Sequence, residues 1–244
     1  MNIVAIDTSH PVGSVSLRVG GGPVETIRFG AAMSHLVELD QAVSALLEKS
    51  GTAPSDIDRV AVVIGPGSFT GLRIGLAFAK GLYAARRREI VTVGTLELLS
   101  LPVLMTEARV CAMVDARKSE VYAAVFEKSG GEENLPIEKT PVRAVSPGKL
   151  LVSLDARPMV FVGSGAVRFR TEIEAALGTD ALFAPEPLNE PSTETLCEVG
   201  ARLTPLRAEA VSTLEPFYVR PSDAKLNPLR RIRTDGEHQA RSDE

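Results

Sequence analysis

The chain has 244 residues, 44% of them hydrophobic, which is enough for one large domain or two small domains with a substantial core. Its 27 basic and 31 acidic residues are interspersed and give a net charge of -4, so global charge excludes a dedicated nucleic-acid or membrane binder. Cys111 and Cys197 lack metal-ligand or disulfide spacing, and with no leader or membrane-length apolar run they indicate a soluble cytoplasmic protein with buried thiols.

The chain begins with a predicted strand hairpin followed by a helix. An apolar run at residues 2–7 ends in the carboxylate of Asp7, and residues 12–19 alternate before a glycine-rich turn. Ser34 is placed to cap the next helix, which ends near Gly51. The apolar side chains of this helix recur on one face, which predicts burial of that face: Leu36, Leu39, Val43, Leu46 and Leu47.

A predicted strand at residues 59–64 then leads through a glycine-rich turn into a helix with almost no polar face. Between Phe69 and Ala85 only Arg73 and Lys80 are charged. A helix that is apolar nearly all round is normally buried on more than one side. It is therefore either a central core helix or a core helix that also forms a subunit interface. Small residues leave its backbone open to close approach: Gly71, Gly75, Ala77, Ala79, Gly81 and Ala84.

The second half of the chain repeats the plan of the first half. Residues 110–115 mirror residues 3–7, and in both copies a run of alternating apolar positions follows. Further on, residues 160–165 mirror residues 63–67, and each of these segments leads into a predicted helix. Two correspondences in the same order predict two related lobes.

We place the lobes at residues 1–103 and 104–221. A last helix at about 192–204, capped by Ser192, is suited to pack back on the first lobe. Residues 222–244 are too polar to bury apolar surface and are expected to be disordered. Three arginines in this tail could touch RNA phosphate or lie in solvent: Arg230, Arg231 and Arg233.

Two neighbouring segments are candidates for a phosphate or nucleotide contact. Asp7 ends a strand and is followed by the hydroxyl of Thr8, while the amides around Gly65, Gly67 and Ser68 precede a helix. An aspartate in this place is equally typical of a structural turn. The glycine-rich turn matches neither the P-loop pattern nor the dinucleotide-binding pattern.

No complete catalytic constellation is present in the sequence. Ser68 lacks the Gly-x-Ser-x-Gly context of a hydrolase nucleophile. The three histidines, His10, His35 and His238, are too scattered along the chain to indicate a catalytic triad or a metal cluster.

Four segments resemble the TsaB family, also called YeaZ, and they occur in the family's order. The resemblance covers residues 1 to about 221 and is most specific at residues 65–75. It implies an α/β fold like that of actin, the heat-shock chaperone ATPases and sugar kinases, with two duplicated lobes of mixed sheet and flanking helices. The segments read NIVAIDT at 2–8, GPGSFTGLRIG at 65–75, DAR with EVY at 115–122, and EPFYVR at 215–220.

The TsaB family is the non-catalytic partner in bacterial synthesis of threonylcarbamoyladenosine on tRNA. The resemblance implies pairing with TsaD, the paralogue that modifies the adenosine beside the anticodon, and with the ATPase TsaE. The helices at about 34–49 and 70–85 would form the contact, and a homodimer in isolation would use the same helices. The tRNA would be reached through the complex. The candidate interface side chains, of which some could face the lobe's own core, are Leu39, Val43, Leu46, Leu72, Leu76 and Phe78.

One departure separates the chain from its catalytic paralogue. That paralogue binds metal through a His-x-x-x-His pair, whereas here the helix reads His35-Leu-Val-Glu-Leu39. Because one imidazole cannot anchor such a site, we predict no metal and no catalytic residue. We expect no cofactor on the chain alone, with ATP or ADP only at the junction with a partner.

The alternative is an ATPase or small-molecule kinase of the same fold that acts alone. It would use Asp7 and the amides of residues 65–67, with Asp115 as the catalytic carboxylate. Its second phosphate loop would have to be the short segment at residues 163–165. Fold alone does not confer this chemistry.

Overall fold

The computed structural model describes residues 1–30, 35–86, 88–104, 109–129, 135–154 and 158–220. The predictions made for Ser34, for the side chain of His35 and for the tail at 222–244 lie outside the described residues.

The first lobe is built on a five-stranded mixed sheet with the order β3-β2-β1-β4-β5. Strand β1 pairs antiparallel with β2 and parallel with β4, and Ile6 lies opposite Val15 and Val62 in the two registers. Both β1 and β4 are buried along their whole length, which explains their uninterrupted apolar sequences. The strands are β1 (Ile3–Asp7), β2 (Gly13–Arg18), β3 (Val24–Phe29), β4 (Arg59–Val63) and β5 (Glu89–Val93).

Two long helices cover one face of this sheet. Helix α1 (His35–Ser50) and helix α2 (Phe69–Arg86) pack on each other and on the strands, and together they enclose an apolar cluster. The short helix α3 (Thr95–Ser100) lies between the lobes: Leu98 packs in the first lobe, while Leu96 and Leu99 pack in the core of the second. The chain therefore passes from one lobe to the other through a helix shared by both.

The second lobe repeats the sheet of the first. Its order is β11-β10-β6-β7-β8, with β9 also paired to β7. The central strand β6 is antiparallel to β7 and parallel to β10, as β1 is to β2 and β4. This confirms the duplicated mixed-sheet fold. The strands are β6 (Arg109–Asp115), β7 (Val121–Lys128), β8 (Pro136–Glu138), β9 (Arg143–Val145), β10 (Met159–Val162) and β11 (Ala181–Phe183).

Three short helices accompany the second sheet, and the core of this lobe joins them to its strands. Leu150, Ala166 and Ile173, one from each helix, are almost fully buried against β6 and β10. Among the described residues, no helix is long and apolar enough to cross a lipid bilayer. The helices are α4 (Pro147–Val152), α5 (Ser164–Arg168) and α6 (Arg170–Leu177).

The chain then returns to the first lobe. Helix α7 (Thr193–Gly200) lies on the sheet face that α1 and α2 leave open, and Leu196 and Val199 pack there against the strands. Ser192 caps α7, because its hydroxyl accepts the N–H of Thr195 at 3.2 Å. The helix ends at Gly200, before the end expected from the sequence. Helix α8 (Ala208–Thr213) follows, and its Val211 joins the core beneath α1 and α2.

Candidate functional site

The end of β1 is buried and held by local hydrogen bonds. Asp7, Thr8 and Ser9 are each at most 2% exposed. The Asp7 carboxylate accepts the N–H of Ser9 at 2.8 Å, as in an Asx turn. The Thr8 hydroxyl donates to the carbonyl of Gly71 at 2.8 Å. The Thr8 hydrogen bond connects the end of β1 to the first turn of α2.

The glycine-rich turn fits around the end of β1. The N–H of Ser68 donates to the Ser9 carbonyl at 2.7 Å, and the Ser68 hydroxyl accepts the N–H of Gly71 at 3.2 Å. Ser68 thus acts as the N-cap of α2. A Cβ atom would lie 2.5 Å from the Ser9 carbonyl at Gly67 and 1.9 Å from the Thr8 carbonyl at Gly71. Both glycines are therefore required for close packing of two backbone segments.

Gly65 connects this turn to two other parts of the chain. Its carbonyl accepts the N–H of Thr95 at 2.8 Å, at the start of α3. A Cβ atom at Gly65, whose φ is +117°, would lie 2.8 Å from the carbonyl of Phe217. The N–H of Phe217 in turn donates to the Ile64 carbonyl at 2.8 Å. The turn lies where the two lobes and the returning chain meet.

The corresponding segments of the second lobe, which follow β6 and β10, also form internal contacts. The Asp115 carboxylate pairs with Arg168 at 2.6 Å and accepts the N–H of Arg117 at 2.9 Å. The N–H of Gly163 donates to the side chain of Asn189 at 2.8 Å. A kinase acting alone would need Asp115 as a general base, and both oxygens of this carboxylate already accept hydrogen bonds, from the N–H of Arg117 and from the guanidinium of Arg168. The geometry does not favour this alternative.

Comparison with known proteins identifies the family. The family model described as "TsaD: tRNA N6-adenosine threonylcarbamoyltransferase" matches residues 29–227. The tRNA threonylcarbamoyladenosine biosynthesis protein TsaB of Bacillus subtilis is 30% identical over 226 residues, 92% of this chain and 96% of that protein. The chain belongs to the TsaB family.

Two further similarities agree with this assignment. The TsaB protein of Escherichia coli is 35% identical over 130 residues, which are 52% of this chain and 56% of that protein. The solved structure of YeaZ from Pseudomonas aeruginosa superposes with a TM-score of 0.73 at 26% identity, covering 89% of this chain and 99% of that chain. The resemblance to TsaB and its implied fold are thereby confirmed.

The residue that the resemblance places at the paralogue's second imidazole does not fit a metal in this TsaB-family chain. Leu39 is 0% exposed, within the core of α1, α2 and the first sheet. A leucine offers no lone pair to a metal, and this one is enclosed by apolar side chains. Within the described ranges there is no group of three or more His, Cys, Asp or Glu side chains able to hold a metal ion.

The interface candidates divide into core residues and one partly exposed residue. Five of them are at most 5% exposed and belong to the chain's own core, so they offer a partner almost no surface: Leu39, Val43, Leu46, Leu72 and Leu76. Leu72 lies against Gly65, and the other four belong to the cluster under α1 and α2. Phe78 is partly buried. The interface on these helices stays a prediction.

Other residues of the same helices face outward. On α2, Ala77, Gly81 and Ala84 are exposed. On α1, Leu36 and Val37 are 48% and 45% exposed, so the predicted burial of Leu36 is wrong. The sequence carried a signal for the α2 face, because its small residues recur at intervals of three and four opposite the large buried ones. Sequence reasoning noted the small residues and nevertheless chose the large ones as the contact.

Sequence reasoning also missed a cluster of arginine and aromatic side chains beside the glycine-rich turn. Arg73 stacks 3.9 Å from the ring centroid of Phe69, and its Nε donates to the Tyr218 hydroxyl at 2.8 Å. The rings of Phe69 and Tyr218 are 4.9 Å apart. Two residues later, Arg220 pairs with Glu120 of the second lobe. The segment at 217–220 therefore contacts both lobes.

Proposed function

We propose that the chain is the non-catalytic scaffold and activating subunit for N6-threonylcarbamoylation of tRNA, and that it works as the partner of a TsaD homologue. The observation that carries the proposal is the 30% identity to the Bacillus subtilis TsaB protein over 92% of this chain. The burial of Leu39, which the resemblance places at the paralogue's second metal-binding imidazole, supports it. The names of the Bacillus subtilis and Escherichia coli relatives support the pathway. A chain that lacks the metal pair but keeps the fold is suited to binding its paralogue.

The outer face of α1 and α2 is the proposed contact surface. Small side chains at Ala77, Gly81 and Ala84 would let a partner helix approach closely, since the distance between packed helices depends on the side chains at the contact. Leu36 and Val37 would add apolar area to this face. A second copy of the chain could use the same face when the partner is absent.

The chain is proposed to bind no nucleotide by itself. The Ser68 and Gly71 amides already have internal acceptors, so neither is available to bind a phosphate group. ATP or ADP would then be held only at the junction with the TsaD homologue. We further propose that a TsaE homologue and the tRNA join this complex, and that it works in the cytoplasm.

The test is reconstitution with the TsaD and TsaE homologues of the same organism. Light scattering gives the stoichiometry, and transfer of the threonylcarbamoyl group to tRNA is measured with each protein omitted in turn. We expect a heterodimer, with this chain inactive alone but required for transfer. Turnover of ATP by the isolated chain, or full transfer without it, would contradict the proposal.

A further inference from the structure

Arg73 lies on the outer face of α2, beside the small side chains of the proposed contact surface. At about 100° of rotation per residue, Arg73, Ala77 and Ala84 lie within about 40° of one another around the helix axis. All three are exposed. Arg73 belongs to the second turn of α2, so it adds a cation to one end of this face.

Two aromatic residues hold the side chain of Arg73 in place. Its guanidinium carbon lies 3.9 Å from the ring centroid of Phe69, one helical turn earlier. Its Nε donates to the Tyr218 hydroxyl at 2.8 Å, and the centroids of the two rings are 4.9 Å apart. Because the side chain is already ordered, it loses less conformational entropy when it binds a partner.

Arg73 differs from the other arginines that lie over aromatic rings in the part of the chain that the structure describes. Arg168, Arg170 and Arg220 lie 5.2, 4.0 and 5.8 Å from the centroids of their rings. Each of these three pairs with a carboxylate of the chain itself, in order Asp115, Glu174 and Glu120. Arg73 has no carboxylate partner among the described residues, and its two terminal amino groups make no hydrogen bond to them.

We propose that Arg73 anchors the chain to the TsaD homologue by pairing with a carboxylate of that partner. The inference rests on the proposed function, in which the outer face of α2 is the contact surface. A partner that packs on small side chains comes close enough to exclude water from Arg73. A guanidinium that loses its water is costly unless an opposite charge replaces it.

The chemistry of the side chain fits a carboxylate. The two terminal amino groups of Arg73 form an edge with two parallel N–H donors, which matches the two oxygens of a carboxylate. Arginine and tyrosine are also enriched among the residues that contribute most to binding in protein interfaces. Arg73 and Tyr218, joined by their hydrogen bond, form such a pair at the edge of the α2 face.

The test is the affinity for the TsaD homologue of the same organism, measured by biolayer interferometry with full-length proteins freed of RNA and nucleotide, and again with ADP added. Arg73→Gln removes the charge, and Arg73→Lys keeps the charge without the planar pair of donors. The matched control is Arg170→Gln in the second lobe, which removes an arginine that lies 4.0 Å from the ring centroid of Phe183. Thermal melting of each variant alone checks its fold.

We expect Arg73→Gln to bind at least about thirtyfold more weakly, as when a buried charge pair loses one partner. Arg73→Lys should recover only part of this loss. Tyr218→Phe keeps the ring and releases Nε, so its loss should be smaller than that of Arg73→Gln. The Arg170→Gln control should bind like the wild type. Replacing one acidic residue of the TsaD homologue by arginine should restore binding to Arg73→Glu, which identifies the carboxylate.

Wild-type affinity of Arg73→Gln, without and with ADP, would overturn the role of Arg73 and leave the proposed function standing. A loss that appears only with ADP would also overturn it, and would assign Arg73 to a phosphate of the nucleotide. Equal losses in Arg73→Gln and Arg170→Gln would show a general effect of net charge and would likewise overturn it.

Two further results are decisive. If Arg73→Gln melts well below the wild type, Arg73→Lys decides, because full affinity of that variant would exclude the paired contact. If the wild type itself does not bind the TsaD homologue, the proposed function fails, and the role of Arg73 fails with it.

Discussion

At the scale of single residues, the glycines after β4 serve packing between backbones. The sequence suggested an anion site at a helix N-terminus, because glycines and a hydroxyl precede α2. What the sequence could not reveal is the neighbour of Gly71, which is the carbonyl of Thr8 at the end of another strand. The same composition serves a phosphate loop or a tight crossing, and only the position of the second segment distinguishes them.

Gly71→Ala should destabilise the protein strongly. The added methyl would lie 1.9 Å from the Thr8 carbonyl, and neither backbone can move without disturbing β1 or α2. We expect a loss of roughly 3 kcal/mol in the free energy of unfolding, at the upper end for an overpacked site. Urea denaturation measures the loss.

The matched control is Gly81→Ala in the same helix, where a Cβ atom meets nothing within 4 Å. It should stabilise the protein by about 0.5–1 kcal/mol, because alanine is the better helix former. Equal effects of the two variants would contradict the packing role of Gly71.

The half-buried carboxylate of Glu97 should make stability depend on pH. Burial of Glu97 at the start of α3 raises its pKa above the ordinary value of 4.5, and the charge of Glu138 acts in the same direction. The folded protein therefore holds a proton that the unfolded chain releases first, so the free energy of unfolding falls as pH rises above about 4.5.

Glu97→Gln should remove this contribution. Glutamine keeps the shape and can still accept the N–H of Gly94, which Glu97 accepts at 3.2 Å. The stability of the variant relative to wild type should increase as pH rises above about 4.5, in urea titrations from pH 4 to 8. Glu138→Gln should give a smaller change of the same sign. Parallel curves for wild type and Glu97→Gln would exclude this role.

At the scale of elements, α2 has two apolar faces that differ in the size of their side chains. Leu72, Leu76 and Ala79 face the core, while Ala77 and Gly81 face outward. The sequence predicted a helix buried on more than one side without indicating which face met which neighbour. The large side chains pack in the apolar core between this helix and the sheet, where they bury the most apolar area, and the small ones remain outside.

Substitutions at two adjacent positions of α2 should distinguish a residue that contacts the partner from a residue of the core. Ala77→Arg places a long charged side chain on the outer face, so the chain should fold normally and lose its TsaD homologue in co-purification. Leu76→Asp buries a carboxylate at a position that is 4% exposed, and should unfold the chain or destabilise it by more than about 3 kcal/mol.

Light scattering shows whether each variant forms the complex with the TsaD homologue, and thermal melting measures the stability of each variant alone. A stable complex formed by Ala77→Arg would exclude this face as the interface. Unfolding of Ala77→Arg would show instead that the face is less exposed than the structure indicates.

At the scale of the whole molecule, the first lobe depends on the end of the chain. Helix α7 covers one face of its sheet, and the buried guanidinium of Arg59 donates to three carbonyls at the end of that helix. Val211 of α8 fills the opposite side. The carbonyls bound by Arg59 are those of Gly200, Ala201 and Leu203.

The fragment 1–103 should therefore not fold by itself. Without α7, the strand residues Ile3, Ala5 and Val63 would be exposed to water on one side of the sheet. We expect a poorly dispersed amide NMR spectrum and no cooperative melt. The control joins residues 190–216 to this fragment through a flexible linker, and should restore both. A cooperative melt of the fragment alone would contradict this dependence.

The sequence by itself determined the central strands of both sheets, the duplication and the family. These features are local, or repeat at fixed spacing, and alternation and helical periodicity record them directly. Only the tertiary structure decided which face of α2 is buried, what the glycines contact, and how the segment at 217–220 contacts Arg73 of the first lobe and Glu120 of the second. Each of these depends on contacts between segments far apart in the chain, and a pattern within one segment carries no information about which distant segment will pack against it.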